Sequence, residues 1–294
     1  MKVCLLRALL SYPKIPRFYF KSARKDRRME IATTPQSNTL LFPDERLDVV
    51  NEQIRLIQKK QGLTYGTDAF LLAAYIRTSP AARAVDLGSG TGIIPLLLIA
   101  RGKVSQIHAV EIQECFADLI ARNAALNGFA NRITPLCRDV RELSPFELGG
   151  EADLVFSNPP YMRCDSGKRN ESQEKYIARH EVHGGIGDFC AAAARVLRYG
   201  GKFVTVWRPD RLNELLYALH ASGMEAKRMT FVHADAHAEP CAVLTEAIKG
   251  GAPAVRISPP LLLYRDERGE NGMRELTDEA RLIYENCTFP SYEK

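Results

Sequence analysis

The 294-residue chain lacks any apolar run of the roughly 18 residues that a membrane helix requires. It also lacks a Cys-x-x-Cys pair, which disfavours a structural zinc site or a disulfide framework. No internal repeat is present, and the length fits one large domain with appendages. We therefore expect a cytoplasmic protein with no membrane attachment and no bound metal. The seven cysteines are scattered, at Cys4, Cys115, Cys137, Cys164, Cys190, Cys241 and Cys287.

Acidic residues are scarce at the amino terminus, where residues 1–28 hold nine Lys or Arg and one acid, Asp26. Subtracting this net charge of +8 from the whole-chain value of +5 leaves −3 for residues 29–294. Total charge is therefore no argument for nucleic-acid binding. We interpret residues 1–28 as a basic leader that is disordered or not native, with a transit peptide as the alternative. A secretory signal is disfavoured because Arg7 interrupts its short apolar stretch.

The body of the chain alternates strand-like and helix-like segments, which predicts a doubly wound, mostly parallel α/β sheet with helices on both faces. Residues 29–66 form a lead-in, in which Arg46–Lys60 has no clean period. A domain is expected over 67–250, and the tail 251–294 is expected to pack on it without clear organisation. The predicted strands are Arg83–Leu87, Gln106–Ile112, Ile133–Val140, Asp153–Ser157 and Lys202–Trp207, closed by an antiparallel hairpin of Ala226–His233 and Pro240–Lys249. The predicted helices are Asp68–Arg77, Ile93–Arg101, Glu114–Asn127, Gly187–Arg198 and Leu212–Ser222.

A glycine-rich loop follows the first strand of this series, with glycines at Gly88, Gly90 and Gly92. Glycine permits a tight turn and a close approach of ligand to backbone. A dinucleotide-binding fingerprint needs a third glycine at the position of Ile93, and the sequence therefore excludes a dinucleotide cofactor. Asp86 lies two residues before the first glycine, which suits a cofactor with a cationic amino group better than one with a pyrophosphate.

Two acids end the next strands. Glu111 ends the second strand, where an acidic side chain accepts hydrogen bonds from ribose hydroxyls. Asp139 ends the third, where it is a candidate acceptor for an adenine amine, although pairing with Arg138 or Arg141 is an open alternative. Together with the glycine loop, they predict a nucleoside cofactor with an amino-acid moiety.

The chemical motif is Asn158-Pro159-Pro160-Tyr161, at the carboxyl end of the fourth strand. Two prolines fix the backbone and remove competing donors. The Asn158 side-chain oxygen and the Pro159 carbonyl can then accept the two hydrogens of a planar amine, while Tyr161 offers a stacking face. The motif predicts methyl transfer to a nitrogen by positioning, without a metal or strong base.

Four further features carry weaker expectations. The polar stretch 162–176 is predicted to be a loop that grips substrate. His180-Glu181 is structural or substrate-facing, and Lys59 with Lys60 is either a phosphate contact or a solvated pair. The alternating donors of 233–239 are read as a solvated loop rather than a metal site.

The chain resembles the bacterial tRNA1(Val) adenine N6-methyltransferases over roughly residues 44–250. The resemblance rests on segments that occur in the same order along the chain: Asp44–Asp48, Ile57–Gly62, Tyr65–Ala69, the glycine loop, Asn158–Tyr161 and Ala178–Glu181. The segments before the glycine loop are more particular to this family than those that follow. It implies a Rossmann-like class I methyltransferase fold with a seven-stranded sheet, S-adenosyl-L-methionine as cofactor, and tRNA modification as function. It also implies a cofactor site built from Thr67, Asp68, Asp86, Gly88, Gly90, Gly92, Glu111, Ile112, Asp139, Val140 and Asn158.

The resemblance implies that adenine is held by the Asn-Pro-Pro-Tyr motif after it is flipped from the anticodon loop. Two enzymatic alternatives are a protein-glutamine methyltransferase and a ribosomal guanine-N2 methyltransferase. The non-enzymatic alternative is an RNA- or nucleotide-binding module. Glutamine methyltransferases carry an amino-terminal helical domain, for which residues 1–66 are too short and irregular. The sequence leaves the oligomeric state open, with a monomer slightly favoured.

Overall fold

The structure is a computed structural model that describes residues 41–61, 65–160, 185–268 and 273–291. Within these ranges the helices are α1 (Thr67–Tyr75), α2 (Ile93–Ala100), α3 (Glu114–Leu126), α4 (Ile186–Val196), α5 (Leu212–Ala221) and α6 (Asp278–Asn286). The strands up to the closing hairpin are β1 (Glu45–Val49), β2 (Arg55–Lys59), β3 (Arg83–Leu87), β4 (Gln106–Glu111), β5 (Ile133–Cys137), β6 (Ala152–Ser157), β7 (Leu197–Trp207), β8 (Met224–His233) and β9 (Pro240–Lys249). The tail adds β10 (Arg256–Ile257), β11 (Leu261–Leu262), β12 (Tyr264–Arg268) and β13 (Arg274–Leu276).

The central sheet has the order β10-β8-β9-β7-β6-β3-β4-β5, and β11 also pairs with β8. Strands β3 to β7 are mutually parallel, whereas β9 runs antiparallel to both β7 and β8. The mostly parallel sheet with an antiparallel closing hairpin is thus confirmed. The seven expected strands are β3 to β9, and β10 and β11 of the tail bring the sheet to nine strands among the described residues. Because β8 is again parallel to β7, its carboxyl end lies at the same edge as those of β3, β4 and β6.

Burial explains why the parallel strands form here. All of β3 after Arg83 is buried, as expected for a strand covered on both faces. Helix α2 is apolar on every side, and seven of its eight residues are buried against the sheet. Among the described residues no helix is long and apolar enough to cross a membrane.

The segment between α4 and β7 differs from the prediction. The sequence predicts a helix over Gly187–Arg198, but α4 already ends at Val196 and β7 begins at Leu197. Gly200 has a φ of +76°, and a Cβ on Gly201 would lie 2.9 Å from the carbonyl oxygen of Arg198. The two glycines therefore allow an irregular strand start rather than a helix end.

The lead-in and the tail are also more ordered than the sequence pattern indicated. Strands β1 and β2 form an antiparallel hairpin across Arg46–Lys60, with Leu47 opposite Ile57. In the tail, β10 and β11 extend the central sheet beside β8, and β12 pairs with β13. Helix α6 then brings Ala280 and Ile283 into the main core next to α1. The expectation of no organisation in these segments is wrong.

Candidate active site

The carboxyl edge of the sheet gathers the predicted site residues. The glycine loop follows β3, Glu111 is the last residue of β4, and Asn158 directly follows β6. Strand β3 lies between β4 and β6, so these three features are on neighbouring strands. Crevices at this edge, where the strand order reverses, are where open α/β sheets bind ligands.

The glycine loop requires its glycines for two reasons. Gly88, Gly90 and Gly92 have φ angles of +73°, +56° and +81°, which L side chains rarely adopt. Space is short as well: a Cβ on Gly88 would lie 3.2 Å from the Phe189 ring, and one on Gly92 would lie 3.3 Å from Ile120. The loop is thus closely held between α4 and α3, and Gly92 leads directly into α2.

Asp86 is almost fully buried beneath this loop. Its Oδ2 accepts a hydrogen bond from Ser89 Oγ at 2.6 Å, but its Oδ1 has no hydrogen-bond partner. Burial raises the pKa of Asp86 to about 7, and the nearby Glu111 carboxylate adds to the rise. A buried carboxyl with an unused acceptor fits a ligand that brings a cationic donor, as expected for an amino group.

Glu111 holds the loop in place, a role that the sequence did not indicate. Its Oε2 accepts the Gly90 amide at 2.9 Å, and its Oε1 accepts the Gln113 amide at 3.0 Å. Each carboxylate oxygen has a second lone pair, so both can still accept a hydrogen bond from a hydroxyl group. The residue after it, Ile112, is half-buried at the same edge.

Asp139 forms the ion pair that the sequence left open. Arg141 donates to both of its carboxylate oxygens through Nε, each at 3.0 Å, while Arg138 pairs with Glu147 instead. Val140 between them is buried, and its carbonyl oxygen accepts from Arg195. The Asp139 carboxylate is therefore oriented by Arg141 at the end of β5.

Two hydroxyl groups fix the end of β6. Ser157 Oγ donates to the Leu87 carbonyl at 2.7 Å, and Thr205 Oγ1 donates to the Ser157 carbonyl at 2.9 Å. Ser157 and Thr205 are both fully buried. The last residue of β3 is thereby tied to the residue that precedes Asn158. This bond fixes the Asn158 backbone relative to the glycine loop.

The motif itself is described up to Pro160. Pro159 is buried, whereas Asn158 and Pro160 are half-buried. Tyr161 lies outside the described residues, as do the predicted gripping loop 162–176 and His180-Glu181. The structure therefore places the two proposed amine acceptors, Asn158 and Pro159, beside the glycine loop.

Thr67 and Asp68 begin α1 at the same edge. The pKa of the Cys241 thiol is raised mainly by burial and, to a smaller extent, by the negative charge of the Asp68 carboxylate. Asp68 is therefore within electrostatic range of the start of β9. Phe70 packs on Tyr65 and on Tyr284 of the tail, with ring centroids 6.0 Å and 5.7 Å apart. The tail thus contributes to the surroundings of this segment.

The weaker candidates have other partners. Lys59 Nζ pairs with Asp44 at 2.9 Å, and Lys60 Nζ donates to the Pro43 carbonyl. In the 233–239 loop, Asp235 pairs with Arg274 of the tail. Across the ranges that the structure describes, no three His, Cys, Asp or Glu side chains come together as metal ligands.

An orphaned carboxylate oxygen, loop glycines with no room for side chains and a fixed Asn-Pro-Pro turn suit a cofactor that carries an amino acid and a nucleoside. The fold and the site define a methyltransferase that depends on S-adenosyl-L-methionine. The family model "Methyltransferase small domain" matches residues 60–220. The chain belongs to this family and, within it, to the tRNA1(Val) (adenine(37)-N6)-methyltransferases.

Relatives with that name are 28–31% identical to this chain over the aligned residues. The one from Porphyromonas gingivalis is 30% identical over 187 residues, covering 62% of this chain and 72% of the relative. The one from Aeromonas hydrophila is 30% identical over 197 residues, covering 60% and 79%. Among solved structures, a predicted O-methyltransferase from Agrobacterium tumefaciens is 23% identical, with a TM-score of 0.59 over 76% of this chain and 98% of that one. This last likeness supports the fold.

Proposed function

We propose that the protein transfers a methyl group from S-adenosyl-L-methionine to the N6 amine of an adenine in tRNA, the adenine at position 37 of tRNA1(Val) that its relatives' names specify. The observation that carries the proposal is the Asn158-Pro159-Pro160 turn, which Ser157 fastens to the end of β3. The site of methyl transfer is thereby next to the cofactor loop.

The residues of the turn activate the acceptor nitrogen. An adenine amine is a poor nucleophile because its lone pair is delocalised into the ring. Acceptance of its two hydrogens by the Asn158 side-chain oxygen and the Pro159 carbonyl localises that lone pair toward the methyl donor. Holding both reactants in line supplies the rest of the rate enhancement. As the bond from N6 to the methyl carbon forms, the bond from that carbon to sulfur breaks and S-adenosyl-L-homocysteine leaves. The methylated nitrogen is acidic and loses one proton to water, so the proposal requires neither a metal ion nor a strong base.

The bound cofactor supplies an electrophilic methyl group. Its amino group is assigned to Asp86, whose Oδ1 is unpaired, and its amino-acid end to the backbone of Gly88, Gly90 and Gly92. Its ribose is assigned to Glu111. Asp139 is assigned to the adenine amine, with Ile112 and Val140 against the ring and Thr67 and Asp68 closing the site from α1.

The RNA side of the proposal rests on the family and on the motif. An anticodon-loop adenine is stacked, so it must be flipped into the pocket, where Tyr161 provides a stacking face. The 162–176 loop is proposed to hold the surrounding RNA. A cytoplasmic, monomeric tRNA-processing enzyme fits this function.

The experiment incubates the protein with labelled cofactor and total RNA from a strain that lacks the enzyme, followed by mass spectrometry of nucleosides. We expect N6-methyladenosine in the tRNA fraction. With Asn158→Ala we expect none, while cofactor binding, which the other site residues carry, stays nearly intact. Wild-type methylation by Asn158→Ala would contradict the motif assignment.

The same experiment separates the alternatives. Label found only in protein, as methylated glutamine, would overturn the proposal in favour of a glutamine methyltransferase. N2-methylguanosine in ribosomal RNA would overturn it in favour of a guanine methyltransferase. Cofactor binding without any methylated product would favour a binding module.

A further inference from the structure

Two asparagines on α3 hold the amino-terminal hairpin. Asn127 Oδ1 accepts the Arg55 amide at 2.9 Å, and its Nδ2 donates to the Arg55 carbonyl at 2.7 Å. Asn123 repeats this pattern one helical turn earlier, with the Ile57 amide at 2.7 Å and the Ile57 carbonyl at 3.0 Å. Positions i and i+4 share one helix face, and the backbone groups of strand residues i and i+2 point the same way, so the two spacings match.

Asn123 also reaches the glycine loop. Its Nδ2 donates to the Thr91 carbonyl at 2.9 Å, between Gly90 and Gly92. Asn123 is fully buried, and both hydrogens of its amide group are used. Asn127 has no such bond: its second donor contact goes to the Asn123 carbonyl within the same helix.

The Asn123 amide thus connects two segments, β2 and the glycine loop. One is the glycine loop itself, which also packs on α3 through Gly92 and Ile120. The other is β2, whose chain continues to Tyr65 and the start of α1 at Thr67. A buried amide with every bond satisfied has one orientation, so it fixes the spacing between these two segments.

We infer that Asn123 is a positioning residue for cofactor binding, which holds the glycine loop at a set distance from the strand that leads into Thr67 and Asp68. This inference rests on the proposed location of the cofactor between those segments. Asn123 acts through the Thr91 carbonyl and touches no reacting atom. Its loss should therefore change cofactor affinity more than the affinity for RNA.

The test compares Asn123→Ser with Asn127→Ser, which removes the equivalent pair of bonds to β2 and leaves the loop bond intact. Calorimetric titration with S-adenosyl-L-methionine gives the Kd, and thermal unfolding gives the stability of each variant. We expect both variants to unfold at a lower temperature. We expect only Asn123→Ser to raise the cofactor Kd, by about fivefold or more, the effect of one lost buried hydrogen bond.

A wild-type Kd in Asn123→Ser, or an equal rise in Asn127→Ser, would overturn the inference. If Asn123→Ser does not fold, Asn123→Ala replaces it, since Ala also lacks the donor to Thr91, has a higher helix propensity than Ser and introduces no buried charge. The titration needs no RNA. Failure of tRNA methylation therefore overturns the proposed substrate, whereas these two results overturn the role of Asn123.

Discussion

The Asp86 carboxyl is buried with one oxygen unpaired, so its charge depends on what binds beside it. We predict that Asp86→Asn weakens cofactor binding by about ten- to a hundredfold, since a hydrogen bond to a charged group is lost. Calorimetric titration measures this change. Asn keeps the shape and can still accept from Ser89, so the protein without cofactor should not unfold at a lower temperature. A clear drop would contradict the ligand-binding role and indicate a structural one.

The same residue predicts a pH dependence. Its pKa is raised in the folded protein to about 7 from an ordinary 3.8, so the folded state holds its proton more tightly than the unfolded state. The resulting stabilisation is present below about pH 4 and is lost as the pH rises toward 7. Without cofactor, the free energy of unfolding of the wild type should therefore fall relative to that of Asp86→Asn as the pH rises from about 4 to about 7. Above this window the difference between the two proteins should stay constant.

Among individual residues, the sequence predicts those site residues that can be recognised from their type and their position in a motif. The glycine spacing, the acids near the carboxyl ends of β3 and β4 and the Asn-Pro-Pro motif are all recognisable without a structure. Ser157 and Asn123 are not, because their partners are backbone groups distant along the chain, such as Leu87 and Thr91. The one available signal for Asn123 is a polar residue inside an otherwise good helix, four positions before Asn127.

Helix α1 carries Thr67 and Asp68 at its first turn, and its other end depends on one buried lysine. Lys103 Nζ donates to the carbonyls of Ala73, Ala74 and Ile76 at 2.7–2.8 Å. Burial lowers the pKa of Lys103 to about 8, so it is still mostly protonated at pH 7.

We predict that Lys103→Met lowers the free energy of unfolding by about 2–3 kcal/mol, because the last carbonyls of α1 lose their donor inside the protein. Denaturant unfolding measures the change. Lys60→Met is the control, since Lys60 is exposed and makes one carbonyl bond, and it should cost less than about 0.5 kcal/mol. Equal losses in both variants would contradict the capping role.

Periodicity finds strands β3 to β9 of the central sheet but misses β1. In that strand Glu45 is 3% exposed and Val49 is 73% exposed, the reverse of what hydrophobic patterning assumes. Glu45 is buried because Arg122 and Lys59 both pair with it, and this holds its pKa at about 2. An ion pair with a helix 77 residues away leaves no local pattern to read.

At the scale of the whole molecule, the tail contributes side chains to the main hydrophobic core. Leu261, Leu263, Ala280 and Ile283 belong to the same buried cluster as α1 and α2. This packing is hard to predict from the sequence, because β10 and β11 are two residues long and β12 is mostly charged. The short strands β10 and β11 form because β8 offers an edge with which they can pair, whereas the charged β12 pairs with β13.

We predict that Ile283→Ala lowers the free energy of unfolding by about 2–5 kcal/mol, the cost of a cavity in a well-packed core. The neighbouring Leu282 is 42% exposed, so Leu282→Ala is a matched control that should cost less than about 1 kcal/mol. Urea unfolding of both variants measures the difference. A loss for Ile283→Ala as small as that of its neighbour would mean that α6 is dispensable for the core.

The paired asparagines on α3 also limit how the length of the chain can vary over evolution. Inserting or deleting one residue between Arg55 and Ile57 would turn every following β2 side chain to the opposite face and break the match with the helix. The turn at 51–53 bears no such constraint, because its bonds are local ones to the Asn51 side chain. Homologous sequences should therefore accumulate insertions in this turn and preserve the length from Arg55 to Lys59, even where the residues themselves differ.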